Sequence, residues 1–260
     1  MTPNPTALRA EILRIAHDSG HGHVPTCFSI VEMLCAVYGV MRHDPARPEW
    51  DGRDLFVLSK GHASLAHYVV LGALGYYDPG PVARFGNRGT MFGCHADRLK
   101  VPGVEVSTGS LGHGIGLATG MALAEKILGT DRRVYTLVGD GESNEGTVWE
   151  AVMVAVDRGL DNLTLLYDDN RSQGRALQIP NPAERLAAFG CDTVGVDGHD
   201  VAALTQALTR PARGVRAVVA RTVKGKGCRT LEDNMYEWHR KSPDAETLAK
   251  LLEELHAPAV

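Results

Sequence analysis

The feature that most constrains this chain is an alternation. Short apolar runs of strand length at residues 55–58, 134–138, 163–167 and 215–220 are separated by helical patterns at 63–74, 114–128, 147–158 and 200–208. Runs of this length read as strands buried on both faces, and strands separated by helices pair in parallel because a parallel neighbour requires a crossover. The chain is therefore expected to be an α/β protein with a doubly wound, mainly parallel sheet flanked by helices. Two further helical patterns, 6–18 and 29–40, precede the first strand and flank an interruption at 19–26, and an amphipathic helix is expected at 245–255.

With 260 residues and 44% hydrophobic content, one domain spanning 1–260 can bury a sizeable core. Two stretches lack periodicity. Residues 76–110 are rich in Gly, Pro and charge, and a loop of that length inside a domain is usually functional, so it reads as the covering of an active site. The second begins at 224 and runs irregularly into the final helix, giving a C-terminal segment over about 224–257 whose last few neighbours are expected to fray.

The formal net charge of −4, without a cluster of Lys and Arg able to track a phosphate backbone, argues against nucleic acid as a partner. The N-terminus lacks a basic stretch followed by an apolar one, and no run approaches about 18 apolar residues, so no membrane span is expected and the chain is placed in the cytoplasm. Cys27, Cys35, Cys94, Cys191 and Cys228 are odd in number, widely spaced and without a C-x-x-C pair. They read as reduced thiols in the core, neither a disulfide framework nor a zinc site.

The strand at 134–138 runs straight into Gly139-Asp140-Gly141-Glu142, and the strand at 163–167 into Asp168-Asp169-Asn170-Arg171-Ser172. If these strands are neighbours, Asp140 and Asn170 face one crevice at the sheet edge where open α/β proteins bind ligands. A carboxylate, an amide oxygen and a main-chain carbonyl, completed by two oxygens of a diphosphate and a water, form the octahedral oxygen shell that Mg²⁺ prefers. Gly139 and Gly141 let the backbone come close. Each motif alone reads as an ordinary turn; their pairing points to a metal and phosphate site. Gly112-His113-Gly114-Ile115-Gly116 does not fit the dinucleotide fingerprint, and Lys224-Gly225-Lys226-Gly227 is no Walker loop, which argues against nicotinamide and P-loop sites.

Several of the eleven histidines stand in glycine-containing or polar loops: Ser19-Gly20-His21-Gly22-His23, Lys60-Gly61-His62-Ala63, Gly93-Cys94-His95 and Glu237-Trp238-His239. Loop histidines at strand exits invite a functional reading. His17, His43, His67, His199 and His256 read instead as structural, satisfied by hydrogen bonds. His17 and His21 are four apart, but the glycines end the helix there and no carboxylate completes a zinc set.

Taken in order, Ser19-Gly20-His21, Leu58-Ser59-Lys60-Gly61-His62-Ala63, Ser107-Thr108-Gly109-Ser110-Leu111-Gly112, Gly139-Asp140-Gly141-Glu142 through Glu145-Gly146, and Asp169-Asn170 resemble transketolase. So do Val196-Asp197-Gly198-His199-Asp200, Thr222-Val223-Lys224-Gly225-Lys226-Gly227 and Glu237-Trp238-His239, so the resemblance spans essentially the whole chain. It covers only the family's N-terminal, diphosphate-binding domain. It implies one subunit of a split enzyme, inactive alone and completed by a second subunit with the pyrimidine-binding domain, most simply as an α2β2 heterotetramer.

The cofactors so implied are thiamine diphosphate and Mg²⁺ or Ca²⁺, with Asp140, Asn170 and the main-chain oxygen of Ser172 as metal ligands. The resemblance sets the diphosphate against Gly141 and His62, and Gly109 and Leu111 against the aminopyrimidine and thiazolium side. Gly139, Glu142, Asn170 and His239 also belong to the implied cofactor site. His21, His95 and His239 would line the substrate channel, hydrogen-bonding sugar hydroxyls and moving protons, while Glu145 would join carboxylates that link paired cofactor sites. The implied reaction carries a two-carbon ketol unit from a ketose, such as a sugar phosphate, to an aldose, through a carbanion that the cofactor supplies.

Residues 22–28 depart from the Gly- and Ser-rich run usual after the family's histidine, close to where substrate should enter. His113 and residues 97–100 also fall near the expected channel. Two other readings stand beside this one: a component of a 2-oxo acid dehydrogenase or decarboxylase, and a non-catalytic cofactor-binding homologue.

Overall fold

The computed structural model describes residues 3–257. The chain opens with α1 (Pro5–Ser19), whose first turn is capped by the Asn4 side chain accepting from the Thr6 and Ala7 amides, and which ends at Gly20 in the left-handed region. Then come α2 (Val24–Phe28), α3 (Val31–Val40), β1 (Leu55–Leu58) and α4 (Ser64–Leu74). After a long loop follow α5 (His113–Leu128), β2 (Val134–Gly139), α6 (Gly146–Asp157), β3 (Leu163–Asp169) and α7 (Pro182–Ala188). The remainder is β4 (Asp192–Asp197), α8 (Val201–Thr209), β5 (Arg216–Arg221), α9 (Arg229–Asp233) and α10 (Ala245–His256).

The five strands form one parallel sheet in the order β1-β2-β3-β5-β4. Alternate residues divide between two cores. Phe56, Leu58, Tyr135, Leu137, Leu166, Val218 and Ala220 pack toward the helices α1, α3, α4 and α8. Val57, Val134, Val138, Leu163, Leu165, Tyr167 and Val219 pack toward α5 and α6. A strand covered on both sides leaves little room for polar residues, which is why these segments are apolar along most of their length, with Asp168, Asp169, Arg216 and Arg221 at strand ends. The expected doubly wound parallel architecture is the one observed.

Four elements lay outside the sequence expectation: β4, α2, α7 and the five-residue α9, which falls in the stretch read as irregular. β4 reads Asp-Thr-Val-Gly-Val-Asp, and as a half-exposed edge strand it has no need of an apolar run. The short helices α2 and α7 are too brief to show a helical period, and both carry proline in the first turn. The expected helix at 29–40 begins at Val31. The fraying expected of the last few residues falls on 258–260, outside the described residues.

Four of the five histidines read as structural are hydrogen-bonded, whereas His256 is exposed at the end of α10 and its ring has no hydrogen bond among the described residues. His17 Nδ1 meets Pro243 O at 2.9 Å, His43 Nε2 meets Tyr38 O at 3.0 Å, and the buried His67 Nε2 meets the Tyr38 hydroxyl at 2.7 Å. His199 Nδ1 stands 3.1 Å from Glu32, which also holds Arg9 in a buried, two-pronged pair at 2.7 Å. No helix among the described residues is long and apolar enough to cross a membrane.

Candidate functional site

Adjacent parallel strands bring two chain exits together. β2 pairs with β3 through Gly139 opposite Asp168, so Asp140 and Asn170 emerge side by side at the carboxyl edge of the sheet. The Asp140 carboxylate is fixed by three donors: the Ser172 hydroxyl (2.6 Å) and Gly141 amide (2.7 Å) on Oδ1, and the Gln173 amide (3.2 Å) on Oδ2. Asn170 Oδ1 accepts from the Ser172 amide at 3.0 Å, so both side chains converge on Ser172.

Behind them stands a residue that sequence reasoning passed over. Asp168 is fully buried and accepts from Lys60 (2.5 Å), the Ser29 hydroxyl (2.8 Å), the Asn170 amide nitrogen (2.7 Å) and the Thr222 hydroxyl. The Asn170 nitrogen also reaches Ser29 at 3.2 Å. With its nitrogen held by a carboxylate, the Asn170 amide turns its oxygen toward Ser172. Lys60, itself 1% exposed, also donates to Thr26 at 3.1 Å.

A cavity of about 250 Å³ opens over this edge. Asp140, Asn170 and Ser172 form one side, and Lys60, His62, Lys224 and His239 another, with Gly139, Gly141 and Leu111 also on the wall. His23, His62 and His239 form a triangle of rings, the His23 ring centre 5.2 Å from His62 and 5.3 Å from His239, and those two 6.2 Å apart. Lys224 Nζ lies 3.2 Å from His239 Nδ1.

Crowding of buried basic groups sets their protonation. Burial, then Lys60 and the two neighbouring imidazoles, pushes His62 down to about 2. His23 falls to about 4 through burial and the charges of His239 and Arg240, and His239 is lowered by burial and Lys224. Burial and Lys60 bring Lys224 down to about 8. At neutral pH the three imidazoles are uncharged and can both donate and accept hydrogen bonds.

Glu142 binds the walls together. Oε1 accepts from the Ser59 hydroxyl (2.5 Å) and the Gly112 amide (3.0 Å), and Oε2 from the Gly139 amide (3.1 Å). Burial raises its carboxyl against the opposing pull of these donors. Of the residues in the expected cofactor set, Glu142 is thus spent on its own chain. The loop at 76–110 is stitched to the start of α4 and the end of β1: Tyr68 hydroxyl to His95 O (2.9 Å), Ser64 hydroxyl to Cys94 O (3.0 Å) and Thr108 hydroxyl to Leu58 O (2.7 Å). Gly109 has φ +145°, and a Cβ there would stand 2.8 Å from the His95 ring, so the two touch.

His21 is exposed, its ring against Gly86 and Cys94, outside the group formed by His23, His62 and His239. Glu145 is exposed beside Gly112 and does not line the cavity. His113 is exposed at the first turn of α5, with Nδ1 3.1 Å from Leu111 O, and in residues 97–100 Lys100 pairs with Asp97 in solvent. The residues that sequence reasoning left without a role, His23, Lys60, Asp168 and Lys224, had signals in hindsight: each lies within or next to a motif that carries an expected ligand.

The cavity suits an anionic cofactor with a hard cation. Lys224 is a buried ammonium with no carboxylate partner among the described residues, which favours an anion opposite it. Among the described residues no group of three or more His, Cys, Asp or Glu gathers as a metal cluster. The oxygens at this edge are one carboxylate and neutral donors, the type of set that Mg²⁺ shares with phosphate oxygens.

Comparison with known proteins agrees. Residues 6–255 match the family described as transketolase, thiamine diphosphate binding domain. The chain is 38% identical over 232 residues to the 6-deoxy-6-sulfo-D-fructose transketolase subunit SqwG of Clostridium sp. (strain MSTE9), covering 85% of this chain and 84% of that one. It is 33% identical to an apulose-4-phosphate transketolase subunit of Phocaeicola vulgatus, covering 95% and 90%. The crystal structure of Campylobacter jejuni transketolase superposes with a TM-score of 0.87 at 28% identity, covering 98% of this chain but 43% of that one. Fold, edge geometry and these similarities together place the chain in the transketolase family, as its thiamine diphosphate binding domain.

Proposed function

We propose that this chain is the diphosphate-binding subunit of a two-chain transketolase that moves a two-carbon ketol unit from a ketose to an aldose. The observation that carries this is the convergence of Asp140 and Asn170 on Ser172 beneath a cavity walled by His62, His239 and Lys224, with His23 packed against the two imidazoles. Asp140, Asn170 and the main-chain oxygen of Ser172 would hold Mg²⁺, and Lys224, His62 and Gly141 the diphosphate. When bound, thiamine diphosphate supplies the nucleophilic carbon that carries the ketol unit. The chain's part is to anchor and orient. Asp168 and Lys60 fix Asn170 from behind, and Glu142 holds Ser59, Gly112 and Gly139 in register. His23 and His239, uncharged at neutral pH, hydrogen-bond sugar hydroxyls and exchange protons with them, and His95 does the same from the loop rim.

The two relatives are named for a sulfonated and a phosphorylated sugar, which makes a sugar with an anionic end the proposed substrate class. Their naming as subunits supports a second chain; the proposed assembly is two copies of each chain, in the cytoplasm. Leu117, Met153 and Val154, each about half exposed on α5 and α6, offer an apolar face for that partner beside Glu145. The test is to titrate thiamine diphosphate with Mg²⁺ into this chain, alone and mixed with a candidate pyrimidine-domain chain, and to assay ketol transfer with pyruvate turnover as the contrast. Ketol transfer only in the mixture is expected; pyruvate turnover in its place, or no cofactor binding in any mixture, rejects the proposal.

A further inference from the structure

The opposite edge of the sheet, where the strands begin, carries a second concentration of charge. A cavity of about 540 Å³ there is lined by Arg42, Arg133, Arg210 and Arg216 around Tyr135. The carboxylates nearby are already engaged. Asp54 accepts from the Arg42 side chain (2.9 and 3.2 Å) and the Arg42 and Arg133 amides (2.8 and 2.9 Å), Asp131 pairs with Arg42 at 2.8 Å, Asp192 with Arg210 at 2.6 Å, and Asp161 with Lys126 at 2.9 Å.

Two guanidinium groups are left over. Among the described residues Arg216, 4% exposed, donates only to main-chain oxygens, to Leu208 at 2.6 Å and to Arg210, and its Nε has no partner. Arg133 pairs with no carboxylate among the described residues. The two lie close enough for mutual repulsion to add to burial in lowering Arg216. Burial and Asp54 raise the Tyr135 phenol, while Arg133, Arg216 and Arg42, which line the same cavity, pull it back. A buried guanidinium without a counter-anion is costly, and a bound anion removes that cost. A carboxylate is satisfied by one guanidinium fork, whereas a phosphate has oxygens and charge enough for two.

The geometry points to a second binding site on this chain, an anion pocket at the amino edge of the sheet that takes a phosphate group, free or at the end of a small metabolite. Inorganic phosphate titrated into the 260-residue chain at constant ionic strength is expected to raise the thermal midpoint by about 2–5 °C at ten times the dissociation constant. The rise should fall by at least about half in Arg133→Gln, an exposed position with no core contact to lose. It should persist in Lys224→Met, which removes the unpaired ammonium of the cofactor cavity. Glycerol phosphate separates the sources: a larger rise at equal concentration assigns the pocket to phosphate esters, an equal or smaller one to the free ion. No rise beyond that of chloride, an undiminished rise in Arg133→Gln, or a rise abolished in Lys224→Met overturns the assignment.

Discussion

Lys60 Nζ lies 2.5 Å from Asp168 Oδ2, with the two side chains 1% and 0% exposed. Each charge is tolerated in the interior only because of the other, and the same carboxylate orients Asn170. Asp168→Asn keeps the shape and strands the ammonium, so a loss of about 3–5 kcal/mol in urea unfolding is expected. A loss below about 1 kcal/mol would show that the pair does not anchor the site.

Asp140→Ala removes the carboxylate at the strand exit while its three donors can turn to water. The expected result is a folded chain whose Mg²⁺-dependent affinity for thiamine diphosphate drops by at least about 100-fold in calorimetric titration, a floor set by what the loss of a supporting partner alone does at metal sites. Retained metal-dependent affinity would sink the assignment of the metal to this edge.

His23 touches His62 and His239, whereas His21 packs against Gly86. His23→Ala in the two-chain enzyme should therefore lower kcat by about 100-fold or more, and His21→Ala by much less. His95→Ala should slow turnover with cofactor binding largely kept. Equal effects at 21 and 23 would place the channel differently.

His67 is buried and burial lowers it to about 3. The unfolded chain takes up a proton below about 6.5 that the folded chain refuses, so stability falls as pH drops from 6.5 toward 3 and is unaffected above that window. The slope from this residue reaches about 1.4 kcal/mol per pH unit. Urea midpoints measured from pH 7 to pH 4.5 should fall less steeply in His67→Gln than in the parent; an unchanged slope counts against a neutral buried imidazole.

The sheet was legible because burial on both faces leaves apolar runs such as 134–138 that need no alignment to see. β4 was hidden because an edge strand is free to carry Asp192, Gly195 and Asp197. The Asp140 and Asn170 edge was legible because strand exits are adjacent in sequence to the strands themselves. Asp168 was not, since its partners Lys60, Ser29 and Thr222 come from segments far apart in the chain. His21 and His23 differ by two residues, and the turn at Gly22, φ +136°, separates their directions in a way that spacing does not reveal.

Asn170 faces two ways, its nitrogen to a buried carboxylate and its oxygen to the Ser172 amide. A carboxamide donates on one side and accepts on the other, which an ionised carboxylate of the same size cannot do. Aspartate, the stronger ligand for a hard cation, would set a second carboxylate against Asp168, and one of the two would have to keep a proton. The identity of this residue is thus chosen from behind, by the interior, and a lineage that exchanged it for aspartate would first have to change Asp168.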